Sequence, residues 1–387
     1  KQMIDYKESL FLNQQLITRA DFLLNTNHMN PFDTRGKRDK DENEDENKSD
    51  ENSANIPTFD PKSFQEICNP DIIASSDSLK IIYDFVSSSQ FDLSQNQQFF
   101  DEKFADGICK YLLSGQPDYY TEKAILILSN LWYFHPNEET PLTNPSIILL
   151  LFDILNHVNS SFYNIVLISL INYYEISPQT RHFILYYDED DDIFAKLRNF
   201  LLIADNKEYI ETGIRFLYHL FKKREEEQWA NFLQFLPIIP MILEKSDVDN
   251  QIYILYTLSI MIEDDQIFEY CVSNQIHSEL AKYCQRTILI QSLAYYLYKC
   301  VYEFVKRGYY KVFYKKSIFT EMQGILKIKE RHNISTLFYT ISLLIDNYAE
   351  TFFDQNIHLS CIEYAKEGRF DNKISATFCV AKFVIYS

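Results

Sequence analysis

The sequence predicts an all-α fold, a right-handed α-solenoid of about seven to eight helical repeats. First, an apolar helical pattern recurs along the chain of 387 residues at intervals of roughly 40 to 50 residues. Second, the chain has only 7 glycines and 11 prolines, whereas α/β enzymes need residues that tolerate positive φ in their phosphate loops and tight turns. Third, no stretch alternates convincingly with a period of two residues, so we expect no sheet.

The recurring pattern is clearest in Glu122–Trp132, which reads as a helix with alanine near its start and a wide apolar stripe. The mean spacing of its repeats, about 43 residues, falls in the range of armadillo and HEAT helical repeats. In such arrays each unit buries its apolar face only against its neighbours. Similar helices are expected to end near Asp84, Tyr173, Phe221, Ile262, Val301, Ile345 and Phe383.

Three regions follow one another along the chain. Residues 1–24 have apolar residues spaced for one helix, which is either a detached recognition segment or a piece that packs back on the array; a poorly ordered tail is the other alternative. Residues 25–58 form an acidic linker that we expect to be disordered, because its core, 39–51, contains no apolar residue. We expect residues 59–387 to form a helical repeat domain with a repeat length of the armadillo type.

Within this domain, a typical repeat consists of a short helix and two longer ones, and Asn144, Ser246 and Asp249 are suited to cap helix N-termini. Residues 377–387 have the pattern of a third helix with nothing after it, so we expect an exposed apolar face there and a sequence truncated at this end. The helices expected in three successive repeats are Gln179–Tyr187, Ile193–Ala204 and Lys207–Lys223; Glu227–Phe235, Pro237–Lys245 and Asp249–Glu263; Gln266–Ser273, Ile276–Tyr283 and Thr287–Phe304.

The charge and the cysteine content limit the cellular compartment and the classes of partner that we expect. The net charge of −18 attracts basic partners and repels nucleic acid and anionic membranes. The 7 cysteines are odd in number and widely spread, which is typical of reduced thiols in the cytoplasm or the nucleus. The most apolar runs, Ile147–Leu155 and Ile165–Ile171, are too short to cross a bilayer. We therefore expect a soluble cytoplasmic or nuclear protein, or one found in both compartments, with no membrane partner.

Catalytic and metal-binding patterns are missing from the sequence. No phosphate loop, GxGxxG, HExxH or GxSxG motif occurs. The 8 histidines have no Cys or His partner at ligand spacing, so we expect no zinc. The acidic run Asp188–Asp192 lacks the spaced ligands and glycine of a calcium loop and is interpreted as a solvated loop. We expect neither an enzyme nor a cofactor.

The stretch Lys306–Lys316 is locally basic, with lysines and an arginine among tyrosines. Cations interleaved with aromatic residues can hold phosphates and stack bases. A simpler interpretation is a helix in which Val312 and Phe313 pack inward while the lysines face solvent. Because the whole chain is acidic, we do not expect nucleic-acid binding.

Glu122–Trp132 resembles the third helix of an armadillo repeat, as in importin-α and β-catenin. The resemblance covers roughly residues 60–387 and implies a concave surface lined by third helices. In importin-α-like proteins this helix carries a tryptophan and, four residues later, an asparagine, which clamp an extended basic peptide. At these two positions the present helix has Leu126 and Asn130.

In the later repeats the tryptophan and asparagine ladder is absent, and Arg215 and Lys299 would repel a basic peptide. Tyrosines stand at several of the same positions, and tyrosine is enriched at interfaces. We hypothesise that the tyrosines at these positions, Tyr256, Tyr295 and Tyr339, line a peptide groove and are flanked by Arg215, His219 and Lys299. The alternative is that the same side chains pack between repeats. The corresponding pairs are Val166 and Leu170, Arg215 and His219, Tyr256 and Ile260, Tyr295 and Lys299, and Tyr339 and Leu343.

The function expected from these observations is a non-enzymatic scaffold or adaptor that binds a protein or an extended peptide along its concave surface. One alternative is a divergent importin-α-like adaptor for nuclear import. Another is a structural subunit that docks into a larger complex through the apolar C-terminal face and the N-terminal helix. The groove candidates are Asn130, Arg215, His219, Tyr256, Tyr295, Lys299 and Tyr339.

Overall fold

The computed structural model describes residues 59–69, 71, 73–88, 91–113, 118–134, 141–156, 162–186, 193–222, 229–285, 291–328 and 332–386. The predictions for 1–24, 25–58 and Asp188–Asp192 lie outside these residues. No strand occurs in the described ranges, so the predicted all-α class is confirmed. The described helices fall into two compact units, one ending at Phe200 and one beginning at Leu201.

In the first unit, three long helices form a row in which each packs against the next: α2, α5 and α7. The shorter helices α1, α4 and α8 cover this row, with α1 on α2, α4 on α5 and α8 on α7. The helices are α1 Pro61–Cys68, α2 Ser76–Val86, α3 Leu93–Asn96, α4 Glu102–Leu112, α5 Asp118–Phe134, α6 Pro145–Asn156, α7 Tyr163–Ile176, α8 Pro178–Tyr186 and α9 Ile193–Ile203, whose last turn continues past Phe200.

The second unit contains a row of five long helices, α10, α13, α16, α18 and α20, in which each packs mainly on its neighbours in the row. We call these five the third helices of this unit. The helices are α10 Lys207–Phe221, α11 Trp229–Phe232, α12 Ile239–Lys245, α13 Val248–Met261, α14 Asp265–Ser273, α15 Ile276–Tyr283, α16 Gln291–Lys306, α17 Lys316–Leu326, α18 Ser335–Asp354, α19 Ile357–Glu367 and α20 Phe370–Tyr386.

Most helices end within a few residues of their predicted bounds. The predicted helix Glu227–Phe235 is an exception, because α11 spans only Trp229–Phe232 and is followed by turns. The predicted cap Asn144 is confirmed, since its Oδ1 accepts from the backbone N of Ser146 at 3.0 Å. The prediction that Ser246 or Asp249 caps α13 was wrong. The cap is Asp247, which lies between them, has the extended backbone of a cap residue and accepts a hydrogen bond from Asn250 N at 3.1 Å.

Hydrogen bonds between neighbouring long helices set the register of the repeat. Asn172 Nδ2 donates to the backbone O of Ser129 at 3.1 Å, across 43 residues of sequence. Thr340 Oγ1 donates to Tyr298 O at 3.2 Å across 42 residues, and Cys379 Sγ to Phe338 O at 3.0 Å across 41. These separations match the repeat length predicted from the sequence. None of the described helices has both the length and the apolarity needed to span a bilayer.

Candidate functional site

The third helices of the second unit leave a narrow stripe of side chains partly exposed. On α16 the stripe comprises Tyr295, Lys299 and Tyr302, which follow the i, i+4, i+7 spacing of one helix face, while the residues between them are buried. Comparable positions on the other helices carry arginine or tyrosine. We call this stripe the tyrosine face and define it by Arg215, Tyr256, Tyr295, Lys299, Tyr302 and Tyr339.

Ring contacts connect three successive third helices beneath this face. The ring of Tyr256 on α13 lies edge-on to Tyr218 of α10 and to Tyr296 of α16, with both centroid distances at 5.4 Å. Tyr296 in turn meets Tyr295 at 5.0 Å and 88°. Tyr218 and Tyr296 are buried, so they hold the half-buried rings of Tyr256 and Tyr295 in place.

Tyr339 extends the tyrosine face onto α18. Its side chain is 37% exposed, and its ring centroid lies 6.3 Å from that of Tyr302 on α16. Burial, and after it the negative charge of Asp371, raises the pKa of the Tyr339 phenol above its ordinary value. The hydroxyl therefore stays protonated at neutral pH and can donate a hydrogen bond to a ligand.

Carboxylates accompany both cations of the tyrosine face. Arg215 pairs with Glu211 one turn earlier on α10, and its guanidinium carbon lies 5.8 Å from the ring centroid of Tyr253. Lys299 Nζ lies 3.9 Å from Glu263 Oε1. The charges are thus compensated locally, so this face offers both signs of charge among aromatic rings.

Two predicted groove residues, Asn130 and His219, do not line an open surface. His219 is 3% exposed, with its Nδ1 at 3.2 Å from Lys222 Nζ. Asn130, in the first unit, is 2% exposed, and its Nδ2 donates to Ser87 Oγ at 2.9 Å. The prediction was wrong for these two residues because neighbouring side chains and helices cover both positions, one on α5 and one on α10.

A cleft in the first unit, lined by both polar and apolar residues, was not predicted from the sequence. This cleft, of about 710 Å³, has Glu102 and Asp106 on one side and Asn144, Gln179 and Thr180 among its other lining residues. Glu102 and Asp106 lie one turn apart on α4, so both carboxylates lie on the same side of the helix. The i, i+4 spacing of two acidic residues was the available signal. In the second unit a smaller cleft, of about 280 Å³, lies between α12 and α15.

The last helix, α20, exposes an apolar surface on the side opposite α18. Its inner side buries Cys379 and Phe383. Its outer side carries no charged residue across a third of the helix circumference. The large apolar residues exposed there, with their exposed fractions, are Phe370 at 61%, Ile374 at 40%, Phe378 at 58%, Val384 at 70% and Ile385 at 77%.

Across the described residues, no three metal-ligating side chains come together. The tyrosine face instead provides aromatic surface, hydroxyl donors and paired charges, which suit non-covalent recognition of a peptide.

Comparison with known proteins supports the fold class. No family model matches the chain, and no curated protein sequence matches it. Its fold is similar to the crystal structure of an engineered protein, a target of the Northeast Structural Genomics Consortium, with a TM-score of 0.65 and 11% sequence identity. The match covers 83% of this chain and 77% of the engineered one. Together with the all-helical structure, this similarity places the chain in the helical-repeat class.

Proposed function

We propose that the chain is a non-enzymatic scaffold that binds an extended peptide across the tyrosine face. The observation that supports this most is the run of ring contacts through Tyr218, Tyr256, Tyr296 and Tyr295, with every second ring partly exposed. A tyrosine held by a buried neighbour loses little conformational entropy on binding and offers both an apolar face and a hydroxyl.

The spacing of these tyrosines suits an extended chain. Packed helices lie about 8–10 Å apart, and an extended peptide in the polyproline II conformation advances about 3.1 Å per residue with three residues per turn, so that every third side chain lies on the same side. Side chains three residues apart in a peptide therefore match tyrosines on consecutive third helices, such as Tyr256 on α13, Tyr295 on α16 and Tyr339 on α18.

The charge of the face argues against a strongly basic ligand. Arg215 and Lys299 lie on it, each balanced by one carboxylate, and the tryptophan and asparagine ladder of importin-α-like proteins is absent. The favoured ligand is a polar peptide with aromatic or apolar anchors, and nuclear import is the less favoured alternative.

The buried free thiols of Cys271, Cys284 and Cys300 fit the reducing environment of the cytoplasm or the nucleus.

The test begins with selection of binding peptides from a displayed library by the wild-type chain. Their affinities are then measured for the variant Tyr256→Ala, Tyr295→Ala, Lys299→Ala. The matched control is Tyr270→Ala, Tyr283→Ala, Lys282→Ala, whose residues lie on α14 and α15 of the same unit and include a lysine paired with Glu279.

We expect the first variant to bind at least about tenfold more weakly, because truncating one well-packed interface aromatic typically removes more than 1 kcal/mol. The control should bind as the wild type does. Circular dichroism of both variants checks that they remain helical. Equal affinities of a helical tyrosine-face variant and the wild type would contradict the proposal, and selection of lysine- and arginine-rich peptides would favour the nuclear-import alternative.

The outer side of α20 supports a second candidate function, that of a structural subunit docking through its C-terminal face. An exposed apolar patch of this kind is typical of a protein contact. The variant Ile374→Ser, Phe378→Ser should dissociate such a complex while leaving peptide binding to the tyrosine face intact. Unchanged assembly of that variant in size-exclusion chromatography with its partners would remove this candidate.

A further inference from the structure

The loop that follows α16 is fixed at both ends. At its start, Arg307 donates from Nη2 to Glu263 O at 3.0 Å, and its Nη1 lies 3.1 Å from Asp265 Oδ1. The guanidinium also lies over the ring of Phe268, 4.2 Å from the centroid. Near its end, Phe313 is fully buried as the last residue of a short 3-10 turn. We call residues 309–316 the basic-aromatic loop.

This loop presents tyrosine rings to solvent. The ring of Tyr314 stacks on that of Tyr348 of α18, with centroids 3.9 Å apart and planes at 10°, and Tyr314 is still 48% exposed. Tyr309, at the start of the loop, is 39% exposed. The stack holds Tyr314 in one orientation, so a flat side chain of a ligand can pack on it at little entropic cost.

The three lysines of the loop, Lys311, Lys315 and Lys316, are exposed, and no described acidic group forms an ion pair with any of them. Lysines elsewhere in the same unit, such as Lys299 and Lys382, do have carboxylate partners. Lys315 and Lys316 also lie at the start of α17, whose first turn has no acidic residue. The partial positive charge of a helix N-terminus therefore adds to theirs.

We propose that the basic-aromatic loop binds an acidic peptide segment of a partner protein. Carboxylates of the segment contact Lys311, Lys315 and Lys316, and an aromatic side chain beside them packs on Tyr314. The inference is independent of the tyrosine face, because it rests on different residues and on uncompensated positive charge.

Charge favours a short peptide over a nucleic acid as the occupant. Residues 201–387 contain twenty-three acidic and twenty-one basic residues, so a long polyanion that runs past the loop meets no further excess of positive charge on this unit. A segment of a few residues needs to cover only the three lysines and the ring beside them. Acidic side chains of a peptide can also be spaced by apolar ones, which suits a loop where tyrosines adjoin lysines.

The test measures fluorescence anisotropy of a labelled peptide of glutamates with one central phenylalanine, added to the full chain at low ionic strength. The variant Lys311→Gln, Lys315→Gln, Lys316→Gln is compared with the control Lys245→Gln, Lys366→Gln, Lys373→Gln. Both variants remove three positive charges from the same unit, so the net charge is matched. We expect binding about tenfold weaker for the loop variant and unchanged for the control, and a loss of affinity as salt is raised.

Three results would overturn the proposal. Equal weakening by the two variants would show a response to net charge alone. Undiminished binding of a peptide with glutamine in place of glutamate would exclude recognition of carboxylates. Tighter binding of a single-stranded oligonucleotide of equal charge, lost in the loop variant, would assign the surface to nucleic acid. Circular dichroism confirms that both variants remain folded.

Discussion

Gly107 marks a close approach of two helices in the first unit. It lies on α4 where this helix crosses α1, and a Cβ added there would come within 2.3 Å of the backbone O of Ile67. Backbone atoms cannot move aside as a flexible side chain can. The glycine is therefore required by the close approach of two helices.

The variant Gly107→Ala should lower the free energy of unfolding by about 1–3 kcal/mol, the usual cost of overpacking. The matched control is Gly324→Ala on α17, where an added Cβ meets nothing within 4 Å. That change should raise stability by about 0.5–1 kcal/mol, because glycine is a poor helix former. Urea unfolding measures the free energy of unfolding of both variants. A Gly324→Ala variant less stable than the wild type would contradict the expectation that, of these two glycines, only Gly107 lacks room for a Cβ.

Asp371, in the first turn of α20, gives stability a dependence on pH. Its Oδ2 is buried without a partner, and burial raises the pKa of this carboxyl, against the opposing effect of Arg369. The pKa of Asp371 is therefore higher in the folded state than in the unfolded state. Protonation of this carboxyl favours the folded state, fully so below the unfolded-state pKa, and this contribution to the free energy of unfolding is lost as pH rises through the folded-state pKa. The variant Asp371→Asn should thus melt at a higher temperature than the wild type at pH 7.

The gain from Asp371→Asn should disappear near pH 3, about one unit below the pKa of an unfolded aspartate, where the carboxyl is neutral in both states. Melting curves at both values of pH provide the comparison. A stabilisation of the same size at low pH would show that the asparagine acts by some route other than charge.

At the scale of elements, the connection into α18 is held by a side chain of the next long helix. Asn372 on α20 is fully buried, donates from Nδ2 to His332 O at 2.7 Å and accepts at Oδ1 from Ile334 N at 2.9 Å. This one amide thus joins α20 to the segment that precedes α18.

Replacing Asn372 with alanine should cost about 2–4 kcal/mol, because a buried carbonyl and a buried N–H both lose their partner. The control Asn274→Ala removes an exposed bond to Tyr270 O and should cost no more than about 1 kcal/mol. Chemical unfolding of both variants tests the difference. Equal costs would mean that water replaces the amide in the Asn372 variant.

The long helices were predictable from sequence because each has an apolar stripe that repeats at a fixed interval. The inward side chain of Phe313 was predictable for the same reason, although the structure places it in a short 3-10 turn and not in an α-helix. The exposed positions were harder to predict, because a third helix is covered on two sides by its neighbours in the row. Asn130 and His219 were therefore assigned to the surface, although the structure buries both.

The stack of Tyr314 on Tyr348 could not be predicted, since it depends on how a loop meets the next helix. Tyr348 has non-helical backbone angles at a kink of α18, φ −141° and ψ 27°. No sequence period shows where such a kink lies. The absence of a described carboxylate partner for the loop lysines is hidden in the same way, because only the packed structure shows which carboxylates lie near them.

At the scale of the whole molecule, each compact unit contains long helices that pack in chain order, and in the second unit this order leaves a stripe of each third helix partly uncovered. In the second unit, twenty-three acidic and twenty-one basic residues nearly balance, whereas residues 59–200 contain twenty acidic and eight basic ones. Basic partners should therefore associate with the first unit faster at low salt. The near-neutral second unit depends more on aromatic contacts for recognition.

The central claim, that a peptide lies across the tyrosine face, is tested most directly by tyrosine modification. The full chain is treated with a tyrosine-selective reagent, with and without a saturating selected peptide, and the modified residues are quantified by mass spectrometry. We predict protection of Tyr256, Tyr295 and Tyr339 and unchanged labelling of Tyr270 and Tyr283. Protection confined to other tyrosines, with these three still labelled in the complex, would contradict it.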